Sequence, residues 1–334
     1  MEHSEASYST VRGRLVVAGG LVALAALLGM LLLWTQGAGA QTTPSGVVDT
    51  GNPDRVFALT TDDRLLRFDG DKPGERTVRK ITGLRNGESL VGIDFRPSAQ
   101  PPATAQQGVL YGVGDKSYIY TIDEQTGAAT RGPRITADLD GDGDTERVAL
   151  EGTSFGVDFN PTVDRLRIVS DNNQSLRVNV DTGALADFDM NAANGTQPDL
   201  DLQYADGDRN EGENPAVTAV AYRNSQPAAF GTTNTELYDI DARTMDLSEQ
   251  FPANNGTLLT EGSLGRQIKK ISGFDIVTVG VSPAGDKGYA ALQPVGKDDS
   301  RFYRVNLDTG QSRGLGVIGN GTDIEGLAIP INQT

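Results

Sequence analysis

Repetition along the chain constrains the fold more than any other feature of the sequence. A tetrapeptide led by Gly or Ala occurs five times, at residues 92–95, 156–159, 219–222, 273–276 and 326–329. In a second pattern, two apolar residues flank one residue of any type, often just before a Thr-Gly turn. It occurs at Leu66/Phe68, Tyr120/Ile122, Leu176/Val178, Tyr238/Ile240 and Tyr303/Val305. Repeated units of this kind cannot bury their apolar faces alone, so they stack on their neighbours.

A third apolar stretch accompanies the two patterns in each unit. It occupies residues 56–59, 109–111, 166–169, 228–230 and 288–292. These stretches are short, rich in β-forming residues and bounded by Gly, Asp, Asn or Pro, which is typical of strands. No segment after residue 40 has a sustained helical period. Each unit is therefore predicted to contain three or four short antiparallel strands, as propeller blades do.

The first and last units are both incomplete, and each has what the other lacks. The final tetrapeptide at 326–329 has no further strands after it, whereas the first unit at 56–68 has no tetrapeptide before it. We expect the C-terminal strand to pair with the N-terminal blade and close the ring, because closure removes exposed strand edges. The sequence thus predicts an all-β, five-bladed propeller over residues 55–334, and the insertions between units leave six blades open.

An uncharged segment of 20 apolar or glycine residues, 15–34, lies near the N-terminus. Arg12 and Arg14 precede it, and the sequence Ala-Gly-Ala follows it at 38–40. This order indicates either a secretory signal cleaved after residue 40 or an uncleaved hydrophobic helix that anchors the protein in a membrane. Both alternatives place the body outside the cytoplasm, in the cell envelope or the medium. Residues 41–54 are predicted to form a flexible tether.

Composition excludes several kinds of chemistry. The formal net charge is −16, which disfavours nucleic acid as a partner and leaves the N-terminal segment as the only expected membrane contact. The chain has no cysteine, and its one histidine is His3 in the N-terminal tail. Disulfides, zinc-thiolate sites and imidazole catalysis are therefore absent from the body. Any catalysis there would use carboxylates, Lys, Tyr, Arg or a metal bound by oxygen.

The longest recognisable run, residues 155–171 followed by 176–179, resembles a bacterial exported family catalogued as domain-of-unknown-function family 4394. Residues 92–97, 238–241, 273–276 and 326–330 fit the same pattern, so the resemblance covers nearly all of 55–330. It implies an exported, propeller-like domain and assigns no catalytic residue. The acidic segment at 138–146 departs from the family pattern as an insertion.

That acidic segment places carboxylates at alternate positions, with glycines at 141 and 143; the carboxylates are Asp138, Asp140, Asp142, Asp144 and Glu146. Calcium-binding loops begin in this way, but the position of the bidentate Glu that ends an EF-hand loop is occupied by Ala149. Two interpretations remain open. The segment is either a shorter loop that binds Ca²⁺ and is stiffened by it, or a solvated acidic turn.

Three tetrapeptides carry an aspartate at the same position, namely Asp94, Asp158 and Asp275, whereas the other two carry Ala221 and Ala328. If the tetrapeptide is the innermost strand, these carboxylates face the central channel at one level. There they would bind a cation or form an acid–base pair, since crowded carboxylates acquire different pKa values. Alternatively, each would accept a backbone N–H of a neighbouring strand or pair with an arginine.

Arg165, Arg167 and Arg177 lie in the long run that carries the family resemblance. Guanidinium groups clamp anions by bidentate hydrogen bonds, so these residues are candidates for an anion site. The alternative is a set of salt bridges between blades.

Two functions are compatible with these features. One is a non-enzymatic module that binds a small ligand or a cell-surface protein, with Ca²⁺ as a possible stabiliser. The other is a calcium-dependent hydrolase of a lactone, glycoside or phosphoester, which would use the channel carboxylates. Propellers host both, so the fold alone does not decide between them.

Overall fold

A computed structural model describes residues 51–97, 108–189, 191 and 195–331. The predicted N-terminal hydrophobic helix and the first part of the predicted tether lie outside the described residues. Within the described part of the chain, no helix is long and apolar enough to cross a membrane.

Short strands make up almost all of the regular structure in the described residues. They are β1 (Val56–Thr60), β2 (Arg64–Asp69), β3 (Lys72–Lys80), β4 (Leu90–Phe95), β5 (Leu110–Gly114), β6 (Tyr118–Ile122), β7 (Ala129–Arg134), β8 (Thr136–Ala137), β9 (Glu146–Arg147), β10 (Phe155–Asn160), β11 (Arg165–Ser170), β12 (Ser175–Val178), β13 (Gln203–Tyr204), β14 (Val217–Tyr222), β15 (Leu237–Asp241), β16 (Asp246–Gln250), β17 (Thr257–Ser263), β18 (Ile268–Thr278), β19 (Asp286–Pro294), β20 (Arg301–Val305), β21 (Ser312–Val317) and β22 (Ile324–Ala328). Among the described residues, two single-turn 3-10 helices occupy Pro227–Ala229 and Ala253–Asn255.

Five of the sheets are the blades of a propeller. Blade 1 has the strand order β22-β1-β2-β3, blade 2 is β4 to β7, blade 3 is β10 to β12, and blade 5 is β18 to β21. Blade 4 is β14 to β17, and the short β13 pairs in parallel with its outer strand. The innermost strands contact one another in the cyclic order β22, β4, β10, β14 and β18. The predicted five-bladed, all-β propeller is therefore confirmed for the described residues.

The ring closes through a strand from each end of the chain. In blade 1, β22 pairs with β1 in antiparallel register, with Phe57 opposite Ala328, Ala58 opposite Leu327 and Leu59 opposite Gly326. The split between the first and last units therefore predicted the closure correctly. Because β22 covers the inner edge of β1, the N-terminal blade has no unpaired strand facing the axis.

The apolar core is divided among the junctions between blades. Five clusters of buried side chains each contain residues from two adjacent blades, so every junction of the ring has one cluster. Each fully buried Leu, Ile, Val or Phe in such a cluster contributes about 1.5–3 kcal/mol relative to exposure. Stability thus comes mainly from stacking blade on blade, as the repeat pattern predicted.

The glycine that begins most tetrapeptides lets neighbouring innermost strands approach closely. A Cβ atom added to Gly156 would lie 2.8 Å from the backbone nitrogen of Val220 in blade 4. One added to Gly273 would lie 2.5 Å from the backbone nitrogen of Leu327. As a result, the axis at this level is almost filled, and the cavity there is about 10 Å³.

One predicted strand is wrong. Residues 228–230 do not form the second strand of blade 4, because Pro227–Ala229 is a 3-10 helix within the long connection from β14 to β15. Proline has no N–H to donate to a sheet and fits the first turn of a helix. Instead Tyr238 and Ile240 belong to β15, which pairs directly with β14. The apolar pair that marks a third strand in the other blades therefore marks the second strand here.

Candidate functional site

The three aspartates of the tetrapeptides meet on the axis of the propeller, and we call them the axial carboxylates. Asp94 lies on β4, Asp158 on β10 and Asp275 on β18. One carboxylate oxygen from each lies within 4.8 Å of the others. The three residues are only 3–5% exposed. The structure thus brings the three tetrapeptide aspartates into one group.

Each axial carboxylate accepts a hydrogen bond from the next blade. Asp94 Oδ2 accepts from the amide of Phe159 at 2.8 Å, and Asp158 Oδ2 accepts from the amide of Tyr222 at 2.9 Å. Asp275 Oδ2 accepts from the amide of Ile329 at 2.5 Å, which links blade 5 to blade 1. The donor in each case is the fourth residue of the neighbouring tetrapeptide. The axial carboxylates therefore hold adjacent blades together.

Burial raises the pKa values of all three axial carboxylates. It raises the pKa of Asp275 to about 7 and places the pKa of Asp94 and that of Asp158 well above the usual range. Mutual repulsion adds to the shifts, since Asp275 raises the pKa of Asp94, and both raise the pKa of Asp158. The backbone amides oppose the shifts by stabilising the ionised forms. The cluster therefore retains protons at pH values at which an ordinary aspartate is ionised.

The axial carboxylates suit shared protons better than a calcium ion. Ca²⁺ takes six to eight oxygen ligands. The cluster offers three carboxylates, and one oxygen of each already accepts a backbone amide. The nearby axial cavity, about 10 Å³, has space for about one water molecule at most and none for an organic substrate.

The acidic segment brings only some of its predicted ligands together. Asp138, Asp140 and Asp142 have carboxylate oxygens within 4.8 Å of one another at the surface. They fold around their own loop: Asp138 accepts from the amide of Gly141 at 2.8 Å and from that of Gly143 at 3.0 Å. Asp142 Oδ1 accepts from the amide of Asp144 at 2.8 Å.

The other two predicted ligands lie outside this group. Asp144 is not among the grouped carboxylates, and Glu146 belongs to β9, opposite Ala137 of β8. Three surface carboxylates that already bind loop amides fit a weak calcium loop and fit a solvated turn equally well. Calcium binding at this segment stays a prediction.

Two of the three predicted arginines join a buried network between blades 3 and 4. Arg167 donates to Asp199 at 2.6 Å, to Ser175 at 2.8 Å and to Asn254 at 3.2 Å. Arg177 binds the same Asp199 carboxylate at 2.7 Å. This arrangement matches the salt-bridge interpretation, because Asp199 already occupies both guanidinium groups.

Arg165 is separate from that network. Its guanidinium donates to the carbonyl of Asp164 at 2.9 Å and to the carbonyl of Val163 at 3.3 Å. The structure therefore does not bring the three arginines together around one anion.

A second buried arginine, Arg96, was not singled out from the sequence. It follows the first tetrapeptide and donates to Asp164 at 2.6–2.7 Å and to Asp181 at 2.7–2.8 Å. The side chain is almost completely buried and also lies over the ring of Tyr111. Its position directly after Phe95 was the available signal, because the neighbouring tetrapeptide at 156–159 is followed by an uncharged residue. Arg96 joins blade 2 to blade 3 as Arg167 joins blade 3 to blade 4.

A cavity of about 680 Å³ opens between blades 3 and 4, and we call it the rim cavity. Its lining comprises Asn160, Phe188, Tyr222, Thr235, Glu236, Leu237, Glu249, Gln250, Phe251, Pro252, Ala253, Asn254 and Asn255. Most of these residues come from the loop before β15, the end of β16 and the β16–β17 connection. Aromatic rings and amide groups thus face a common space, which no sequence motif indicated.

Three buried side chains of blade 4, one of which lines this cavity, have polar atoms without hydrogen-bond partners within the described structure. Gln250 is 1% exposed, and its Oε1 accepts no hydrogen bond. On the same face of blade 4, both carboxylate oxygens of the buried Asp239 and the hydroxyl of Ser248 opposite it are also unmatched. Burial raises the pKa of Asp239 to about 8, although Arg167 opposes the shift. Blade 4 therefore buries several polar atoms beside its junction with blade 3.

The chain has low similarity to several solved structures. A protein of unknown function from Bacteroides thetaiotaomicron is 17% identical with a TM-score of 0.41, over 79% of this chain and 55% of that chain. A chain of the structure described as YCF48 bound to D1 peptide is 8% identical with a TM-score of 0.31, over 80% of this chain and 65% of that chain. A chain of a mitotic checkpoint complex is 11% identical with a TM-score of 0.37, over 91% of this chain and 93% of that chain.

The comparison with curated proteins gave no match. The family comparison is specific: the model described as "Domain of unknown function (DUF4394)" matches residues 64–328. This range includes four of the five tetrapeptides in full, the axial carboxylates and the rim cavity, and it confirms the resemblance seen in residues 155–171. The chain therefore belongs to the DUF4394 family, which is described as a domain of unknown function.

Proposed function

We propose that this protein is a non-enzymatic, extracytoplasmic propeller that binds a ligand in the rim cavity. The observation that carries the proposal is the cavity itself, which lies between two blades and has a volume of about 680 Å³. Ligand sites are commonly clefts of about 300–1,000 Å³ that combine apolar and aromatic walls with a few polar groups. Phe188, Tyr222 and Phe251 supply such walls, and Gln250 and Asn254 supply polar groups.

The unmatched oxygen of Gln250 supports the same assignment. The Gln250 amide nitrogen donates to the carbonyl of Ala253, which fixes the orientation of the side-chain amide and leaves Oε1 as an acceptor. A buried acceptor without a partner costs about 1–3 kcal/mol. This oxygen has almost no accessible surface, so a ligand reaches it only when the wall of the cavity shifts, and a hydrogen bond donated to it then recovers part of that free energy.

Exposed apolar side chains gather on the same rim of the propeller. In each blade the innermost and third strands end at this rim, so the loops that follow them lie on one side. Those loops carry most of the exposed large apolar residues in the described chain, namely Val163, Phe230, Phe251, Val279 and Val281. Concentrated apolar surface is typical of a binding face. The partner is then a small ligand or the ligand-bearing part of a cell-surface molecule.

The extracytoplasmic location is supported by the sequence. The uncharged segment 15–34 after Arg12 and Arg14 predicts export, with the body either secreted or held at the membrane by that segment. The lack of cysteine is compatible with either compartment. The acidic segment contributes stiffness through Ca²⁺ in this proposal and takes no part in chemistry.

The alternative, a calcium-dependent hydrolase, has weaker support. Its catalytic groups would be Asp94, Asp158 and Asp275, yet each accepts a backbone amide of the next blade. The space on the axis is far smaller than a lactone, glycoside or phosphoester. We therefore favour a structural role for the axial carboxylates and a binding role for the rim cavity.

Ligand-observed NMR with a general fragment library tests the binding site although the ligand is unidentified. The full chain is used, purified in a detergent that contains no sugar. We expect several fragments to bind and most of them to be lost in Phe251→Ala, since this ring is 62% exposed and can be removed without unfolding the blade. Val295→Ala is the matched control, because Val295 is 61% exposed in the connection from β19 to β20 on the opposite rim. Fragment binding that Phe251→Ala leaves unchanged would overturn the proposal.

Export is tested separately with alkaline phosphatase fused after the last residue, Thr334. That enzyme requires disulfides and so becomes active only in an oxidising compartment. An active fusion is the expected result. An inactive fusion of normal abundance would contradict the proposed location.

A further inference from the structure

The chemistry of the rim cavity also indicates what kind of ligand it takes. We infer that the rim cavity binds a neutral oligosaccharide, an inference that rests on the proposed binding function. Three properties support it: the charge around the cavity, the hydrogen-bonding groups in its wall and the aromatic rings that line it.

Charge disfavours an anionic ligand. None of the described residues that line the cavity is basic, whereas Glu236 and Glu249 are among them. The body as a whole is acidic, with a formal net charge of −16 for the chain. An anion would therefore approach against repulsion and find no cationic side chain in the lining.

A cationic ligand is not favoured either. Arg223 pairs with Glu236 at 2.5 Å, and Tyr238 donates to the other oxygen of that carboxylate at 2.8 Å. Arg167 lies directly behind Asn254, to which it donates at 3.2 Å. These two guanidinium groups offset the negative charge of the wall. The cavity is thus close to neutral overall, and it suits an uncharged ligand.

The polar groups of the wall match hydroxyls, which both donate and accept. Gln250 Oε1 is a buried acceptor that requires a donor. Asn254 has the opposite orientation, because its Oδ1 accepts from Arg167 and its amide nitrogen remains as a donor. The wall thus has both an acceptor and a donor, and a sugar hydroxyl can serve either role.

The aromatic rings provide the second half of sugar recognition. A pyranose ring has apolar C–H faces as well as its hydroxyl edge, and these faces pack on aromatic rings. Phe251 is 62% exposed and Phe188 is half-buried, so both present ring surface to the cavity. Burying such surface is favourable at about 25 cal/mol per Å². The best match is therefore a ligand that has both apolar faces and many hydroxyl groups. A cavity of about 680 Å³ has room for several sugar units.

Isothermal titration calorimetry tests this inference with four neutral probes: maltotetraose, cellotetraose, mannotetraose and chitotetraose. The full chain is titrated in a detergent without a sugar headgroup, because a maltoside would compete. We expect at least one tetrasaccharide to bind, and Phe251→Ala to weaken its binding by about tenfold or more. Gln250→Met, which keeps the size of the side chain and removes its acceptor, should weaken binding by a similar factor. Val281→Ala, at an exposed residue on the same rim, should change the affinity by less than about twofold.

Two further probes separate failure of the inference from failure of the proposed function. Tetragalacturonate represents anionic sugars, and tetralysine represents cationic peptides. Binding of either one, but of no neutral tetrasaccharide, with loss in Phe251→Ala would overturn the inferred ligand class and retain the rim cavity as the binding site. Tetrasaccharide binding that persists in both Phe251→Ala and Gln250→Met would overturn the inference as well. If no probe binds, the inference is rejected, and the fragment screen alone decides whether the cavity binds ligands.

Discussion

Buried aspartates join the blades of this propeller in two different ways. At the axis, Asp94, Asp158 and Asp275 bind backbone amides of the next blade and lie beside one another. Farther from the axis, Asp164 and Asp199 are equally buried but each binds arginine. Both arrangements connect neighbouring blades. The difference is that arginine compensates the negative charge of Asp164 and Asp199, whereas the axial carboxylates retain protons and so avoid that charge.

The axial carboxylates and Asp181, which shares Arg96 with Asp164, respond to pH in opposite directions. Hydrogen bonds from Arg96 lower the pKa of Asp181, so its contribution to stability is present above the ordinary aspartate pKa and disappears as pH falls through the lowered value. Burial raises the pKa values of the axial carboxylates, so their contribution is present below the ordinary pKa and is lost as pH rises through the raised values. Burial alone does not determine how an aspartate stabilises a fold; its partner does.

The largest expected effect comes from removing an arginine. Arg96→Met leaves Asp164 buried without its cation, and the loss of unfolding free energy should be about 3–5 kcal/mol. Urea denaturation at pH 7 measures it. Met is chosen because it retains much of the volume of the arginine stem.

Arg64→Met is the matched control for Arg96→Met. Arg64 pairs with Asp62 at 2.7 Å, but the two side chains are 54% and 59% exposed. Solvent screens such a pair, and its removal should cost about 0–1 kcal/mol. If the two variants lose the same stability, the buried arginines do not have the role described above.

The next effect is the pH dependence of stability. Because folding raises the axial pKa values, the unfolding free energy should fall as pH rises from 4 to 8, by an amount on the order of 2–4 kcal/mol. Asp181 and other carboxylates whose pKa values are lowered titrate mainly below this window, so they do not reverse the slope. Urea denaturation at a series of pH values measures the slope.

Substitution of single residues assigns that slope to the axis. Asp158→Asn keeps an oxygen that accepts the amide of Tyr222 but cannot ionise, so the slope should become shallower. Asp239→Asn should remove a separate portion, because burial also raises the pKa of Asp239, to about 8. Asp140→Asn, at an exposed position, is the control and should leave the slope unchanged. An unchanged slope in Asp158→Asn would contradict the protonated state assigned to the cluster.

Repetition in the sequence was sufficient to predict most of the axis. The glycines, the third-position aspartates and the split between first and last units all recur at equivalent places, so the position of one copy in the fold implies that of the others. The number of blades, the closure by β22 and the gathering of Asp94, Asp158 and Asp275 followed from this. The same rule failed in blade 4, because Pro227 starts a 3-10 helix where the repeat predicts a strand.

Features that depend on contacts between blades could not be predicted in the same way. Arg96 binds partners 68 and 85 positions later in the chain, and Arg167 binds Asn254, 87 positions away. The rim cavity likewise forms where the β16–β17 connection meets Asn160 and Phe188 of blade 3. Such pairs have no fixed spacing, since they depend on loop lengths that vary from unit to unit.

A smaller effect tests how closely the innermost strands must approach for the axial hydrogen bonds to form. Gly156→Ala places a Cβ atom 2.8 Å from the backbone nitrogen of Val220, so blades 3 and 4 must separate. We expect a loss of about 1–3 kcal/mol and weaker amide protection at Tyr222, whose N–H binds Asp158. Denaturation and hydrogen exchange measure the two quantities.

Gly74→Ala is the control for Gly156→Ala. Gly74 also lies in a strand, but the nearest atom to an added Cβ is 4.0 Å away. This substitution should be neutral or stabilise the fold by up to about 1 kcal/mol, because alanine restricts the unfolded chain. Equal losses in both variants would show that close packing at the axis does not set the geometry of the axial carboxylates.

The smallest effect expected is that of calcium on thermal stability. It also tests whether the axial carboxylates hold protons or bind a cation. The surface group Asp138, Asp140 and Asp142 should bind Ca²⁺ weakly, so about 1 mM calcium should raise the midpoint of thermal unfolding over that in chelator by about 1–4 °C. Asp140→Asn should abolish the rise, whereas Asp275→Asn should preserve it. No rise in the unsubstituted chain would leave the acidic segment as a solvated turn. If instead Asp275→Asn abolishes the rise and Asp140→Asn does not, the axial carboxylates bind the cation, and they resemble the arginine-paired aspartates in requiring a positive charge.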